Sequence, residues 1–477
     1  MKRFYLLTAL FALTAAGCVK DELVDASTPP LPENLTVEQT DYTLGPIEER
    51  TATVVFSAKE EWTLSIVYDD ADAAWLTADA AGGAAGEQSL GMSAARNFQA
   101  APRTAYVDLV CGEQTVRLTV TQTGLSDDMD FSALFDETFA QKLQERDIVA
   151  DAEKITMQEM QSMAIMTELD ISGTYDNPGS LTSLRGIEYF EALTKLNCNR
   201  NSLPELDVSQ NTELTELRCE YNSLTELDIS QNMKLTYLNC NNNSLTELDV
   251  SQNTELTELR CDFNSLTELG LNTELTVLHC QSNSLPKLYV SQNTKLTELW
   301  CGNNQLTELD VSKNTELTEL PCYHNQLTEL DVSKNTKLTK LSCGTNQLKE
   351  LDVSKNTKLT QLLCEYNQLK ELDVSLNTEL TYLDCNSNEL TELDVSLNTK
   401  LTKLYCNSNE LTELDISLNT ELTSLQCHDN PGDGNSVFPL TVWGDQAEKP
   451  DSLYVYQSGW WYNDKYITIE YQTAPGE

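Results

Sequence analysis

Twelve of the fourteen cysteines stand at a near-constant spacing, and their thiols are the first groups to ask chemistry of. They are Cys198, Cys219, Cys240, Cys261, Cys280, Cys301, Cys322, Cys343, Cys364, Cys385, Cys406 and Cys427, with every step 21 residues except one of 19. Zinc sites draw ligands in close pairs such as CxxC, and the repeat contains no such pair. Disulfides are the stronger alternative, because an even dozen in an exported chain invites pairing. Yet equivalent Cβ atoms in stacked parallel strands lie about 4.8 Å apart and point the same way, whereas a disulfide needs roughly 3.8 Å and converging vectors. Buried free thiols acting as small hydrophobes are the expectation. Only three histidines occur, His279, His324 and His428, each beside a repeat cysteine. None belongs to a Ser/Asp constellation distinct from the repeat, and Walker, HExxH and GxSxG motifs do not occur. A carboxylate pair for glycoside cleavage would need one acid with a raised pKa in a pocket, which an open repeat face rarely supplies. The residues point to binding rather than catalysis, with no cofactor and no metal ion.

The elements that position these residues follow from the period. One unit reads Leu317-Thr-Glu-Leu320-Pro-Cys322-Tyr-His-Asn325-Gln-Leu327-Thr-Glu-Leu330-Asp331-Val332-Ser333-Lys-Asn335-Thr. This is the leucine-rich-repeat pattern LxxLxLxxNxL, with Cys in the third apolar place. Neighbouring side chains of a strand point to opposite faces, so Leu320 and Cys322 turn inward while Pro321 and Tyr323 turn out. The Asn at 325 and its equivalents are placed to bond backbone groups inside the turn. A single coil buries too few apolar side chains to offset the ordering of its chain, so neighbours and caps must hold it. Period and Cys placement resemble the internalin-J-type cysteine-ladder repeats of listerial adhesins. The resemblance implies a right-handed solenoid with parallel strands on one face, and binding to host or other surface ligands.

Each unit also has a second half, LxxLDVSxNT, which is monotonous, while the outward places around each Cys vary. A ladder tolerates sameness and a recognition face needs variety. The ligand-binding face is therefore expected on the Cys strands, at Arg218, Tyr221, Tyr237, Arg260, Phe263, His279, Trp300, Tyr323, His324, Tyr366, Tyr382 and Tyr405. The Glu/Asp ladder falls on the other side or edge, its repulsion offset in part by Lys313, Lys334, Lys337, Lys355 and Lys358. The short step has a visible cause: Leu269-Gly270-Leu271-Asn272-Thr273 lacks two residues of Leu-Asp-Val-Ser-Gln-Asn-Thr. The second-half ladder is expected to break at Gly270 and the Cys ladder to run through.

The flanks complete the organisation. Met1-Lys2-Arg3, an apolar Phe4–Ala16 run and Ala15-Ala16-Gly17-Cys18 resemble a bacterial lipoprotein leader, which implies cleavage before Cys18 and its acylation. Lys20-Asp21-Glu22 resembles the surface-export signal of Bacteroidetes lipoproteins, and Pro29-Pro30-Leu31-Pro32 reads as a stiff tether. Strand runs 51–56, 62–67, 105–110 and 116–121, the last two joined by Cys111-Gly112-Glu113-Gln114, suggest a β-sandwich. Trp62, Trp75-Leu76-Thr77, Gly82-Gly83, Asn97, Arg103 and Gln122-Thr123-Gly124 resemble the BACON domain, whose name implies glycan binding. Trp62 and Trp75 read as core residues rather than a sugar platform. Apolar residues at helical spacing between Phe131 and Met163 suit a solenoid cap. There a loop ending at Glu159 resembles an EF-hand that has lost its ligands, with Ile148, Ala150 and Ala152 where calcium needs oxygen. The aromatic segment Tyr466–Tyr471 suits a terminal β cap.

The expected fold is an α/β-solenoid dominated by β. It comprises a signal peptide at 1–17, a tether at 18–33, an Ig-like β-sandwich at 34–124, a helical cap at 125–172, leucine-rich repeats at 173–430 and a β-rich cap at 431–477. Asp plus Glu total 75 against 31 Lys plus Arg, a net charge of −44 that would repel nucleic acid and anionic lipid surfaces. The expected protein is a surface lipoprotein of a bacterial outer membrane, held there through its lipid alone. Its solenoid would bind a protein partner, or alternatively the protein captures glycan.

Overall fold

The computed structural model describes residues 34–69, 74–444 and 448–473. The expected signal peptide, lipid anchor Cys18 and tether lie outside them. Two compact units divide after Leu125.

The first unit is a sandwich of two sheets. Its strands are β1 (Leu35–Val37), β2 (Asp41–Leu44), β3 (Thr51–Ala58), β4 (Trp62–Tyr68), β5 (Leu76–Ala78), β6 (Gly82–Gly83), β7 (Gly86–Ala94), β8 (Arg103–Cys111) and β9 (Gln114–Gln122). The sheet orders are β1-β3-β7-β5 and β2-β9-β8-β4-β6. Alternation writes the core: Val107, Leu109, Leu118 and Val120 are fully buried while their neighbours reach solvent. Gly112, at φ +59, opens the two-residue β8–β9 turn. Trp62 and Trp75 are core residues, 4 % and 6 % exposed. Trp62 packs edge-on against Phe56, with centroids 4.9 Å apart, and the Arg103 guanidinium covers Trp75 at 4.7 Å.

The second unit opens with two short helices. Helix α1 (Glu137–Glu145) starts at Asp136, whose carboxylate accepts from the Thr138 and Phe139 amides. Helix α2 (Met157–Ala164) starts with a capping box between Thr156 and Glu159. Glu159 also accepts from the Ala150 amide at 2.6 Å. The acid at the EF-hand-like position is thus occupied with backbone amides.

Then the solenoid begins. Fourteen strands form one parallel sheet, from Glu168–Asp170 to Tyr454–Tyr456. The sheet therefore starts inside the stretch assigned by sequence to the helical cap and ends inside the stretch assigned to the C-terminal cap. Successive strands pair in register, Leu196 on Leu217 on Leu238 on Leu259 on Leu278. All twelve repeat cysteines are fully buried and free, in a single file. Two asparagine columns lock the coils. In the first, Asn222 donates from Nδ2 to the Cys198 and Cys219 carbonyls at 3.1 and 3.0 Å, and its Oδ1 accepts from the Leu203 amide. In the second, Asn232 donates to the Val208 and Asn211 carbonyls, both at 2.9 Å.

The short coil departs from expectation. The second-half ladder does not break at Gly270. Glu247–Asp249 pairs in parallel with Glu268–Gly270, and Asn272 continues the asparagine column by donating to the Asn253 carbonyl. The two missing residues come from the Asp-Val-Ser turn, where other coils bury a Val or Ile whose carbonyl accepts from the next coil's Asn, as Val208 does from Asn232, while Asn293 still donates to the Asn272 carbonyl. A Cβ at 270 would collide with the Asp249 carboxylate, so glycine permits the close pairing. The Cys file passes undisturbed through Cys261, Cys280 and Cys301, each fully buried.

The last coil is closed by strands Val437–Val442, Gly459–Tyr462 and Lys465–Thr473. Buried Trp460 donates from its indole to the Asn430 carbonyl at 3.1 Å.

Candidate functional site

Each coil exposes four places around its cysteine. Three project from the strand face: the residues before Leu, between Leu and Cys, and after Cys. The fourth follows at left-handed backbone. Arg200, Tyr221, Asn242, Phe263, Ser282, Asn303, His324, Thr345, Tyr366, Ser387, Ser408 and Asp429 all have φ between 50° and 57°. None is glycine, although this conformation costs an ordinary residue about 1 kcal/mol or more. The bonding pattern enforces it. The Tyr221 amide donates to Asn241 of the next coil, while Asn222 beside it is anchored inside.

The twelve candidate residues divide between these places. Tyr221, Phe263, His324 and Tyr366 form the left-handed rim and are exposed, with Phe263 and Tyr366 at 52 % and 60 %. Arg218, Tyr237, Arg260, Trp300, Tyr323, Tyr382 and Tyr405 stand on the strand face and are half-buried. His279 also projects from the strand face, but neighbouring side chains cover it and leave it only 4 % exposed. Strands about 4.8 Å apart bring registered rings into contact. The imidazole lies parallel to the Trp300 ring, with centroids 4.0 Å apart and planes at 8°.

Three clusters result. In the first, Arg218 lies over the Tyr237 ring at 4.6 Å and bonds Glu216 at 2.5 Å, Arg260 bonds Glu258 at 2.6 Å, and Arg200 covers Tyr221 at 4.1 Å. In the second, His279 Nε2 faces Glu298 at 3.4 Å, and Tyr323 leans back over Gly302 to donate to Gln281 Oε1 at 3.2 Å. A Cβ on Gly302 would sit 2.8 Å from that ring, so the glycine makes the seat. His324 meets Tyr323 edge-on. In the third, Tyr382 and Tyr405 meet edge-on at 5.4 Å beside buried Asp384, to which the Tyr382 hydroxyl donates at 3.3 Å. Phe263 stands on the rim between the first two clusters.

Charge on this face is held under strain. Burial pushes the Asp262 carboxyl up to about 6, against the help of the Gln281 amide. Burial likewise raises Asp384 and Glu365, and Asp384 raises Glu365 further. His279 is pushed down by burial and then by Arg260. These acids were not singled out from sequence, since only packing distinguishes them from the many exposed ones. A raised carboxyl favours the folded state below its unfolded pKa, and that advantage is lost as pH rises through its folded value. Asp262→Asn is therefore expected to stabilise the chain at pH 7.5 by about 1–3 kcal/mol, with the gap closing as pH falls from 6 towards 4. Thermal melts across that range test it, and a pH-independent difference would defeat the assignment.

The second halves of the coils lie elsewhere. They line a groove of about 1310 Å³ with Glu205, Asp207, Glu226, Asp228 and Glu247, separate from the aromatic clusters. Among the described residues no three His, Cys, Asp or Glu side chains are grouped to hold a metal. His279 bonds Glu298 and His428 bonds Asp429, and neither bond involves a Ser or Cys nucleophile.

Comparison with known proteins follows these two units. Residues 34–125 match the family model described as the viral BACON domain. A search of curated proteins gave no match. Among solved structures, the functional domain of InlJ from Listeria monocytogenes, which includes a cysteine ladder, is 36 % identical with a TM-score of 0.56, over 66 % of this chain and 83 % of that one. YopM, a leucine-rich effector protein from Yersinia pestis, is 26 % identical with a TM-score of 0.46, over 57 % of this chain and 80 % of that one. With its file of buried cysteines and this identity, the chain belongs to the leucine-rich-repeat family whose solenoid carries a cysteine ladder, as the InlJ domain does.

Proposed function

We propose that the protein is a surface lipoprotein, anchored through Cys18 in a bacterial outer membrane, that captures a protein partner on the Cys-strand face of its solenoid. The observation that carries the binding site is the rim. Aromatic side chains stand exposed at left-handed positions beside half-buried Arg, Tyr and Trp clusters. Exposed aromatics next to pre-packed polar groups make good anchors, because they lose little conformational freedom on binding. The leader residues and the Lys20-Asp21-Glu22 signal support the location. Glycan capture by the sandwich has less support, because Trp62 and Trp75 are buried and offer no platform.

Serine occupies the rim natively at Ser282, Ser387 and Ser408, so it is a safe replacement there. The combined variant Tyr221→Ser, Phe263→Ser, Tyr366→Ser is expected to keep its melting temperature. It should retain partners from intact target cells at least roughly tenfold less well than the parent chain. Equal retention would remove the proposed face. Binding to a glycan array that survives this variant would move the site to the sandwich.

A further inference from the structure

One position of the second half changes character along the array. The residue before the inner Asn is Gln at 210, 231, 252 and 292, then Lys at 313, 334 and 355, then Leu at 376, 397 and 418. The three leucines are 53 %, 55 % and 57 % exposed. Gln and Lys serve in the other full-length coils, and only the shortened coil also has Leu, at 271, so a full-length coil has no need of leucine here. The leucines stand in line because the next residues are locked: Asn377 donates to Asn356, Asn398 to Asn377 and Asn419 to Asn398. Single exposed leucines are ordinary, but three in adjacent coils make a continuous apolar stripe.

Acid columns flank the stripe. Asp373, Asp394 and Asp415 are exposed, each oriented by the amide of the serine two residues on, at 2.8–2.9 Å. Glu371, Glu392 and Glu413 run beside them, and together with Leu418 these acids line a groove of about 750 Å³. Of the lysines in these coils, Lys370 faces Glu389 and Lys400 pairs with Glu379.

We propose that the last three coils carry a second docking site, where the leucine stripe and its acid columns accept a basic amphipathic helix laid along the solenoid axis. The spacing fits. Coils about 4.8 Å apart place the leucines at roughly 0, 5 and 10 Å, and helix positions i, i+3 and i+7 advance by about 0, 4.5 and 10.5 Å. Lys and Arg beside that apolar row then meet the acid columns. A second copy of this chain is a poor occupant, because it would set acid against acid in a protein of net charge −44. An anionic lipid surface is repelled for the same reason. This site lies on the second halves of the coils and is independent of the rim face.

The probe is a fluorescent peptide of about 18 residues, Leu and Lys only, with Leu at i, i+3, i+7 spacing. Its partner is a peptide of the same composition with the leucines scattered. The full chain is compared with Leu376→Gln, Leu397→Gln, Leu418→Gln, the residue that natively fills this place in the first coils. The patterned peptide is expected to bind the parent chain roughly tenfold more tightly than it binds the variant, and more tightly than the scattered peptide does. Equal binding to both chains overturns the site. Equal binding of both peptides also overturns it, showing charge adsorption alone. Sedimentation closes the remaining alternative: a parent dimer that the triple variant abolishes would make a second copy the occupant and defeat the proposal.

Discussion

Asn346→Ala is expected to lower the unfolding free energy by about 3 kcal/mol, since the substitution leaves the buried Leu327 amide without a partner and takes one donor from each of three carbonyls. The Asn346 amide donates to the Cys322, Cys343 and Gly344 carbonyls at 3.1, 3.0 and 3.3 Å, and its Oδ1 accepts from the Leu327 amide at 3.0 Å. An orphaned buried amide is the costliest of these losses. The effect should be local, because each coil touches only its neighbours. Hydrogen exchange of the Leu327 amide should accelerate, while amides several coils away keep their protection. Two controls rank the effect. Asn356 sits in the second column, donates to the Val332 and Asn335 carbonyls at 3.0 and 2.9 Å, and its Oδ1 accepts nothing, so its loss orphans no amide and should cost less. Asn303, on the exposed rim, should cost little. Urea unfolding followed by circular dichroism separates the three, and an Asn346 variant no weaker than the Asn303 variant would falsify the interlock.

The second large effect concerns reactivity. In the native chain at pH 8, the ladder cysteines are expected to react with iodoacetamide roughly a thousandfold more slowly than a free thiol. Burial raises all twelve thiols, Cys427 to about 12, so almost none is thiolate at that pH. Each sulfur is also shut in by the next coil, as Cys261 is against the His279 carbonyl at 3.4 Å. Denaturant should expose all of them to rapid labelling. Mass spectrometry of peptic fragments reads the outcome residue by residue. Fast native alkylation of any ladder position, or a disulfide between neighbouring coils after mild oxidation, would contradict the single buried file. For the same reason reducing agent should leave the melting temperature unchanged.

The repeat itself was legible because each coil states the same pattern. Leu at 320 and Cys at 322 alternate with outward residues, and a strand can bury both only by facing them one way. Trp62 and Trp75 could be read as core residues of the sandwich, because large aromatic side chains among strand runs bury most of their area. The inner role of Asn325 and its equivalents was visible too, since a polar residue fixed among leucines must satisfy backbone groups.

What the sequence could not display is what one coil does to the next. The left-handed rim through Tyr221, Phe263, His324 and Tyr366 has no residue signature, because amides and carbonyls of the neighbouring coil impose it on Tyr, Phe, Ser and Asp alike. His279 read as a surface variation, yet Trp300, a step of 21 residues along the chain, lies flat against it. Asp262, Glu365 and Asp384 became distinctive only when neighbouring coils closed over them. The break expected at Gly270 did not occur, because the inter-coil bonds run through backbone and Asn272, and both survive the deletion. The sequence alone determined the period, the inward file of Leu, Cys and Asn, and the acidic charge, all properties of a single coil read repeatedly. The tertiary structure decided which outward residues remain accessible, because accessibility is set by a neighbour about 4.8 Å away and not by the chain that carries the residue.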